Sequence, residues 1–420
     1  MSRSTTLPVN GLGFDGPAGE RPPRASTTVV LMTRTTRLVA IAAALALLTG
    51  CTANPTVPSE PTGDASVDAT SSAGPTRASS ELADWATALD DRDDYPARWV
   101  AVGDSITEGM GASTVDSRWI DLTLDGLRER YPTDDVPGGV GYRPAAFAVA
   151  PPASTWARWA TSSEGPVSAS SRTADLGYRS VTLGAGATTT YAFTGTGLDL
   201  WWTSGRGTFS YAIDDGDAVE VDTHDSMATS GITPVSDLDA GQHTVTIHAH
   251  SAVDLEGLTA YDGDRDRGVS LFDSSRSGAT ARTFTADLPG FLDSVAAAAP
   301  DLVTVTLGAN DAFTRTPAEF EDDYRTLIEG LQGLDDPPSI MLIGEFVPGT
   351  NLTRGLAGDV DDYRAVVERL ATESGSAYVD LSDALPADGV ASLLSADGVH
   401  PNDAGQRVIA DFVLDQLSVG

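Results

Sequence analysis

The stretch from Trp99 to Ser113, WVAVGDSITEGMGAS, runs an apolar segment straight into Gly-Asp-Ser and then turns polar and glycine-rich. Reactive groups of α/β proteins sit just beyond strand carboxyl ends, so this pattern offers Ser105 as a nucleophile. A serine hydroxyl is weak in that role at neutral pH and needs a base within hydrogen-bond reach. Histidine is the usual choice, with an intrinsic pKa of ~6.5. Of the five histidines, His224, His243, His248 and His250 fall in a stretch of different texture described below, which leaves His400 in LLSADGVHPNDAGQ. Asp397 precedes it in a short D-x-x-H loop that can bring the carboxylate onto the imidazole. There it would hold the tautomer and stabilise the imidazolium formed during acyl transfer. Pro401 and Asn402 then open the last helix, which pins the loop.

The order Ser, Asp, His also suits lipase-type hydrolases, but those need a G-x-S-x-G elbow. Ser105 is followed by Ile106 and Thr107, and the elbow motif occurs nowhere in the chain. Donors for a developing oxyanion must come from elsewhere. LGAND ends an apolar strand and puts Asn310 at its carboxyl edge, with an amide N–H able to point into the site. SRSGATA contributes Gly278, whose backbone N–H can approach closely because no side chain blocks it. With the Ser105 N–H these make a set of three donors, and losing one such donor typically costs on the order of 10²–10³ in rate.

The elements that must position these groups are legible. ARWVAVGDS reads as a buried strand and SRWIDLTLDGLRERY as an amphipathic helix. Between about Ala145 and Gly263 helix signals vanish and short alternating runs take over: YRSVTL, TTYAFTG, LDLWWTS, GTFSYAIDD, AVEVDT, QHTVTIHAH and VDLEGLTAYDG. Turn residues separate them at the spacing of an all-β sandwich or jelly roll. Afterwards DLVTVTLGAND, PSIMLIGEFVP and SAYVDLSDAL read as strands, alternating with helical patterns at FLDSVAAAA, PAEFEDDYRTLIEGLQGL, DVDDYRAVVERLATE and AGQRVIADFVLDQL. That alternation predicts a parallel, doubly wound sheet. The β block is expected as an insertion over residues 149–264, splitting one α/β domain into 82–148 and 265–420.

GDSITEG, SRSGATA, LGAND and DGVHPN, in this order, resemble the sequence blocks of the GDSL-type, or SGNH, hydrolases. The resemblance covers roughly Trp99 to Leu417 apart from the β block. It implies a flavodoxin-like three-layer α/β/α fold and hydrolysis of esters or related acyl groups with no metal or other cofactor. By the same resemblance Ser105 is nucleophile and first oxyanion donor, Gly278 the second donor, Asn310 the third, His400 the base and Asp397 its orienter. Ile106 replaces the leucine of the family name, and SRSG is the least distinctive block.

The inserted block is similar to β-sandwich modules attached to some carbohydrate esterases. Trp201 and Trp202 are adjacent, so on a strand they face opposite sides; the core claims most such residues, yet either can stack on a sugar. Trp156 and Trp159 can line the cleft near Ser105. His248 and His250 share one strand face, but no third ligand accompanies them, and they read as solvent-facing rather than as a metal site.

The chain has 420 residues and a formal charge of −34, and all 26 basic side chains are arginine. A surface this acidic argues against nucleic acid or anionic headgroups as partners. The single cysteine, Cys51, closes RLVAIAAALALLTGC, an apolar run behind Arg34 and Arg37 that is too short to span a bilayer and has the form of a secretory signal. LTGC resembles a bacterial lipobox, with Cys51 lipidated as the mature N-terminus. Residues 1–51 are therefore expected to be a signal segment whose true start is Met32. Residues 52–81, rich in Pro, Ser, Thr and Gly, are expected to be a tether of roughly 30 Å. The expected protein is a cell-surface lipoprotein, touching the membrane only through that anchor, that removes acetyl or other short acyl groups from a polysaccharide or cell-wall glycan. A lipase or lysophospholipase, and a non-catalytic glycan-binding lipoprotein, are the alternatives.

Overall fold

The computed structural model describes residues 78–145, 160–170, 175–205, 207–224, 230–346, 356–386 and 389–419. Its strands are β1 (Ala97–Gly103), β2 (Gly141–Pro144), β3 (Ala160–Glu164), β4 (Val167–Ala169), β5 (Val181–Leu183), β6 (Thr188–Gly195), β7 (Gly197–Thr203) and β8 (Thr208–Ile213). There follow β9 (Val219–Asp222), β10 (Ser230–Val235), β11 (Gly241–Ala249), β12 (Val253–Tyr261), β13 (Val269–Ser275), β14 (Leu302–Thr306), β15 (Ser339–Gly344) and β16 (Ala377–Asp380).

One large sheet runs β10-β7-β12-β2-β13-β1-β14-β15-β16. From β2 to β16 every pairing is parallel. Numbered among themselves, β1, β13, β14, β15 and β16 stand in the order 2-1-3-4-5, the flavodoxin-like arrangement. The strands are short and apolar on both faces because both faces are covered. Trp99, Ala101, Leu271, Leu302, Met341 and Ile343 share one core with helices Ala83–Asp91, Trp119–Arg130 and Asp403–Leu417. Their neighbours Val100, Val102, Phe272, Val303, Val305 and Leu342 share the other with helices Leu288–Ala298, Pro317–Gln332 and Val360–Ser374. The result is the three-layer α/β/α sandwich expected from the sequence.

The β-rich stretch is stitched into that sheet. β2 pairs parallel with β13 on one side and antiparallel with β12 on the other, and β12 continues into β7, β10 and β5. A second, antiparallel sheet, β3-β6-β11-β8-β9, completes a sandwich around Tyr191, Phe193, Leu200, Phe209, Val245, Ile247 and Leu258. One continuous sheet thus crosses both boundaries drawn from the sequence. Trp201, 1% exposed, packs edge-on against Tyr142 and Phe272 and joins the core of the α/β part. Trp202 lies half-buried over Gly231, with its Nε1–H donating to Thr233. Both rings are used for packing.

Candidate active site

In a 2-1-3-4-5 sheet the strand order reverses between β1 and β14, and the crevice beyond their carboxyl ends is the natural place for a ligand. Ser105 follows β1 and Asn310 follows β14. Asp104 caps the one-turn helix Ser105–Glu108 by accepting the Ile106 N–H at 2.8 Å. Gly109, at φ +83°, ends that turn after four residues. A side chain there would be strained and would strike Arg118.

Ser105 Oγ lies 2.8 Å from His400 Nε2, and His400 Nδ1 lies 2.7 Å from Asp397 Oδ2. The other Asp397 oxygen accepts from Ser395 Oγ at 2.8 Å, Val399 N at 2.8 Å and His400 N at 3.0 Å. Burial alone would raise the Asp397 pKa. The His400 imidazole, the His400 and Val399 amides and the Ser395 hydroxyl hydrogen-bond the charged form and hold it well below the usual carboxylate range. An ionised Asp397 fixes the proton of neutral His400 on Nδ1, which leaves Nε2 free to accept from the Ser105 hydroxyl.

The histidine loop is clamped to the serine loop. Ser395 N donates to His400 O at 2.7 Å, and Asn402 Nδ2 reaches Ser392 O and Leu394 O, each at 3.0 Å. Ser113 N donates to Asp403 Oδ1 at 2.7 Å. Gln406 accepts the Trp119 N–H at 2.9 Å and donates to Pro401 O at 3.3 Å. Gly111, at φ +93°, passes so close beneath the loop that a Cβ would sit 2.4 Å from Pro401 O.

On the opposite side, Arg276 N donates to Gly103 O at 2.9 Å and Ser277 N to Glu108, which sets the loop carrying Gly278 beside Ser105. Gly278 has φ +78° and open space where a Cβ would be. Neither its amide nor that of Ser105 has an acceptor among the described residues. Asn310, expected to point an amide N–H into the site, has protein partners in the crevice. Its Nδ2 donates to Asp104 Oδ2 at 2.6 Å and to Ala279 O at 3.1 Å, so both hydrogens are already directed at protein acceptors.

Sequence reasoning missed the buried acids around these groups. Burial pushes Asp104 up to about 6, against the opposing pull of the Ile106 amide, Glu345 and His400. Glu345 is raised well above the carboxylate range by burial and then by the Asp104 charge. Asp311 is pushed up to about 7, again by burial first. A deeper ion network joins the β-rich stretch to the serine loop. Arg118 pairs with Asp121 at 2.6 Å and Asp273 at 2.8 Å, Arg143 with Asp121, and Arg179 with Asp273 at 3.0 Å and Glu108 at 3.4 Å. Burial opposes the Asp273 charge, but three arginines keep it ionised.

Residues 254–408 match the model of the GDSL-like lipase/acylhydrolase family. That segment is a GDSL-like acylhydrolase domain. Its presence marks the protein as an ester-hydrolysing enzyme. The hydrolase resembles a solved structure of a peptidoglycan O-acetylesterase at TM-score 0.63 and 17% identity, covering 81% of this chain and 97% of the other. The α/β segments alone cannot supply such a share, so the shared fold includes β-rich structure. It also resembles an acetylxylan esterase from Geobacillus stearothermophilus at 25% identity and TM-score 0.31, over 36% of this chain and 74% of that one. A lipase/acylhydrolase from Enterococcus faecalis gives 21% identity and TM-score 0.31, over 36% and 75%. No curated protein matches the chain.

The other candidate residues of the hydrolase lie away from this crevice or outside the described residues. Cys51, Trp156 and Trp159 belong to the latter. His248 Nδ1 sits 2.9 Å from Thr188 Oγ1 and His250 Nε2 3.0 Å from Glu220. Among the described residues, no group of three or more His, Cys, Asp and Glu is placed to hold a metal.

Proposed function

We propose that this hydrolase is an extracellular serine esterase that removes acetyl or other short acyl groups from a polysaccharide or cell-wall glycan. Ser105 Oγ attacks the acyl carbonyl carbon while His400 Nε2 takes the hydroxyl proton, and Asp397 stabilises the imidazolium. The Ser105 and Gly278 amides receive the oxyanion, joined by Asn310 when its carboxamide exchanges the 3.1 Å bond to Ala279 O for the oxyanion. Collapse expels the sugar oxygen, which takes the proton from His400. Water then enters, gives its proton to Nε2 and attacks the acyl-enzyme, releasing the carboxylic acid and restoring Ser105.

The observation that carries this reading is the continuous Ser105–His400–Asp397 relay, at 2.8 and 2.7 Å. The likeness in fold to a peptidoglycan O-acetylesterase supports a glycan-linked acyl group. The LTGC sequence at Cys51 supports a lipid-anchored surface location. The test is initial-rate assay of acetylated xylan, O-acetylated peptidoglycan and 4-nitrophenyl esters from acetate to palmitate. Acetate release that falls off steeply with acyl length is expected, whereas faster turnover of long chains would replace this reading with a lipase. An N-terminal mass beginning after Cys51, or without lipid, would remove the anchor.

A further inference from the structure

The turn that carries Gly278 runs Arg276-Ser277-Gly278-Ala279, closed by the Ala279 N–H donating to Arg276 O at 2.9 Å. Of its two central residues only Gly278 has a positive φ, +78°, which makes it a type II turn. In that type the peptide joining Ser277 to Gly278 is turned over relative to a type I turn, so the turn type decides which way the Gly278 N–H points. Arg276, Ser277 and Gly278 are exposed, and packing gives the turn little support. Hydrogen bonds anchor it instead. Arg276 N donates to Gly103 O at 2.9 Å, the Arg276 guanidinium to Tyr178 O at 3.3 Å and Ser277 Oγ to Met110 Sδ at 3.0 Å. The N–H of Ser277, one residue before the Gly278 donor, is held by Glu108 Oε2.

Glu108 is itself fixed from two sides. It closes the one-turn helix that Ser105 opens, its N–H donating to Asp104 O at 2.9 Å. Its carboxylate is buried, and Oε1 lies 3.4 Å from Arg179 Nη1. Arg179 comes from the segment leading into β5, and its Nη2 reaches Asp273 in β13 at 3.0 Å. Buried Asp175 accepts the Arg179 backbone N–H at 2.8 Å. A carboxylate accepting a backbone N–H makes a charge-assisted bond, stronger than a neutral one. One side chain thus joins the helix of the nucleophile, the turn of the second oxyanion donor and the β-rich stretch.

We propose that Glu108 is a positioning residue for acyl transfer. It holds the Ser277–Gly278 turn in the form that aims the Gly278 N–H at the oxyanion, and Arg179 holds its carboxylate in place. It acts through the turn and not on the substrate. The β-rich stretch, through Arg179, is thereby part of the catalytic frame.

This inference rests on Ser105 being the nucleophile and Gly278 an oxyanion donor, so the experiment includes Ser105→Ala and Gly278→Ala. Steady-state kinetics on 4-nitrophenyl acetate are compared for the purified enzyme, these two variants, Glu108→Gln, Glu108→Leu and the Glu108→Leu/Gly278→Ala pair. A methyl at Gly278 meets nothing within 4 Å, so Gly278→Ala perturbs only the positive φ. It should lower kcat about 10²-fold, the scale of losing one oxyanion donor. Glu108→Leu should lower kcat at least about tenfold at nearly constant KM, and Gln, which can still accept from Ser277, should keep it within about threefold. On the Gly278→Ala background the Leu change should cost less than about threefold, because the two act as one unit. If Leu does not fold, Glu108→Asp, which withdraws the carboxylate by one methylene, should show the same kcat loss. Unchanged kcat in a folded Leu or Asp variant, an equal loss on both backgrounds, or Gln no better than Leu would overturn the proposal alone. Unchanged kcat in Gly278→Ala, or turnover surviving Ser105→Ala, would overturn the donor or nucleophile reading and this inference with it.

Discussion

Asp397→Asn is the sharpest perturbation of the relay, because its consequence follows from the hydrogen bonds. Asp397 Oδ1 collects two backbone N–H groups and the Ser395 hydroxyl, so the carbonyl oxygen of an asparagine will take that position. Its NH₂ group must then face His400 Nδ1, where Oδ2 now accepts at 2.7 Å. A donor facing Nδ1 forces that nitrogen to be the acceptor and moves the ring proton to Nε2, which points at Ser105 Oγ. The base then has no lone pair for the serine proton. A drop in kcat of about 10³–10⁴-fold is expected at neutral pH, with KM little changed. The Asp397 side chain is 46% exposed, so the folded state should tolerate the change. The assay is 4-nitrophenyl acetate hydrolysis from pH 5 to 9, with circular dichroism to verify folding. A folded variant within tenfold of wild type would refute the tautomer argument.

Three further outcomes follow from the same geometry. Arg179→Met removes one of the partners of buried Asp273, which keeps Arg118, and the arginine beside buried Glu108, and should cost about 3 kcal/mol in urea unfolding because it leaves buried negative charge undercompensated; a loss below about 1 kcal/mol would mean the network relaxes freely. Gly111→Ala puts a methyl against Pro401 O in a left-handed backbone and should lower kcat at least about tenfold by displacing His400, read by the same esterase assay. Glu256, buried and accepting from Thr203 at 2.8 Å and Ser230 at 2.7 Å, has its pKa pushed up to about 8, chiefly by burial. A folded-state pKa above the unfolded value contributes stability that is complete at low pH and lost as pH rises through it. The melting temperature should therefore fall between about pH 5 and 8, and Glu256→Gln should flatten that decline, as differential scanning fluorimetry would reveal.

Four of the five flavodoxin-like core strands were legible because their signals are local, whereas β13, whose short apolar run gives way to Asp273-Ser274-Ser275, was not read from the sequence. Apolar runs ending in GDS and GAND, and helices with apolar residues at helical spacing, each fix an element and its exit point. β2 and β10 were not legible, for a physical reason. GYRP is four residues bounded by glycine and proline, and it becomes a strand only because β12 and β13 flank it. β10 carries Pro234, which an edge strand tolerates but no sequence pattern favours. The site shows the same division. Ser105, Asp397 and His400 could be found from residue type, order and loop spacing. Glu345 and Arg179 act through contacts far away in the chain, and only an acid ending an apolar run such as SIMLIGE hinted at the first. The second claim of Asp104 and Ala279 on the Asn310 amide depends on packing that no motif records.

The central claim, an activated Ser105, is tested most directly by treating the purified protein with a fluorophosphonate probe and mapping the label by mass spectrometry. Stoichiometric phosphonylation of Ser105, lost in Ser105→Ala and in a folded His400→Ala variant, is the expected result. A folded wild-type protein that takes no label, or takes it equally well without His400, would contradict the claim.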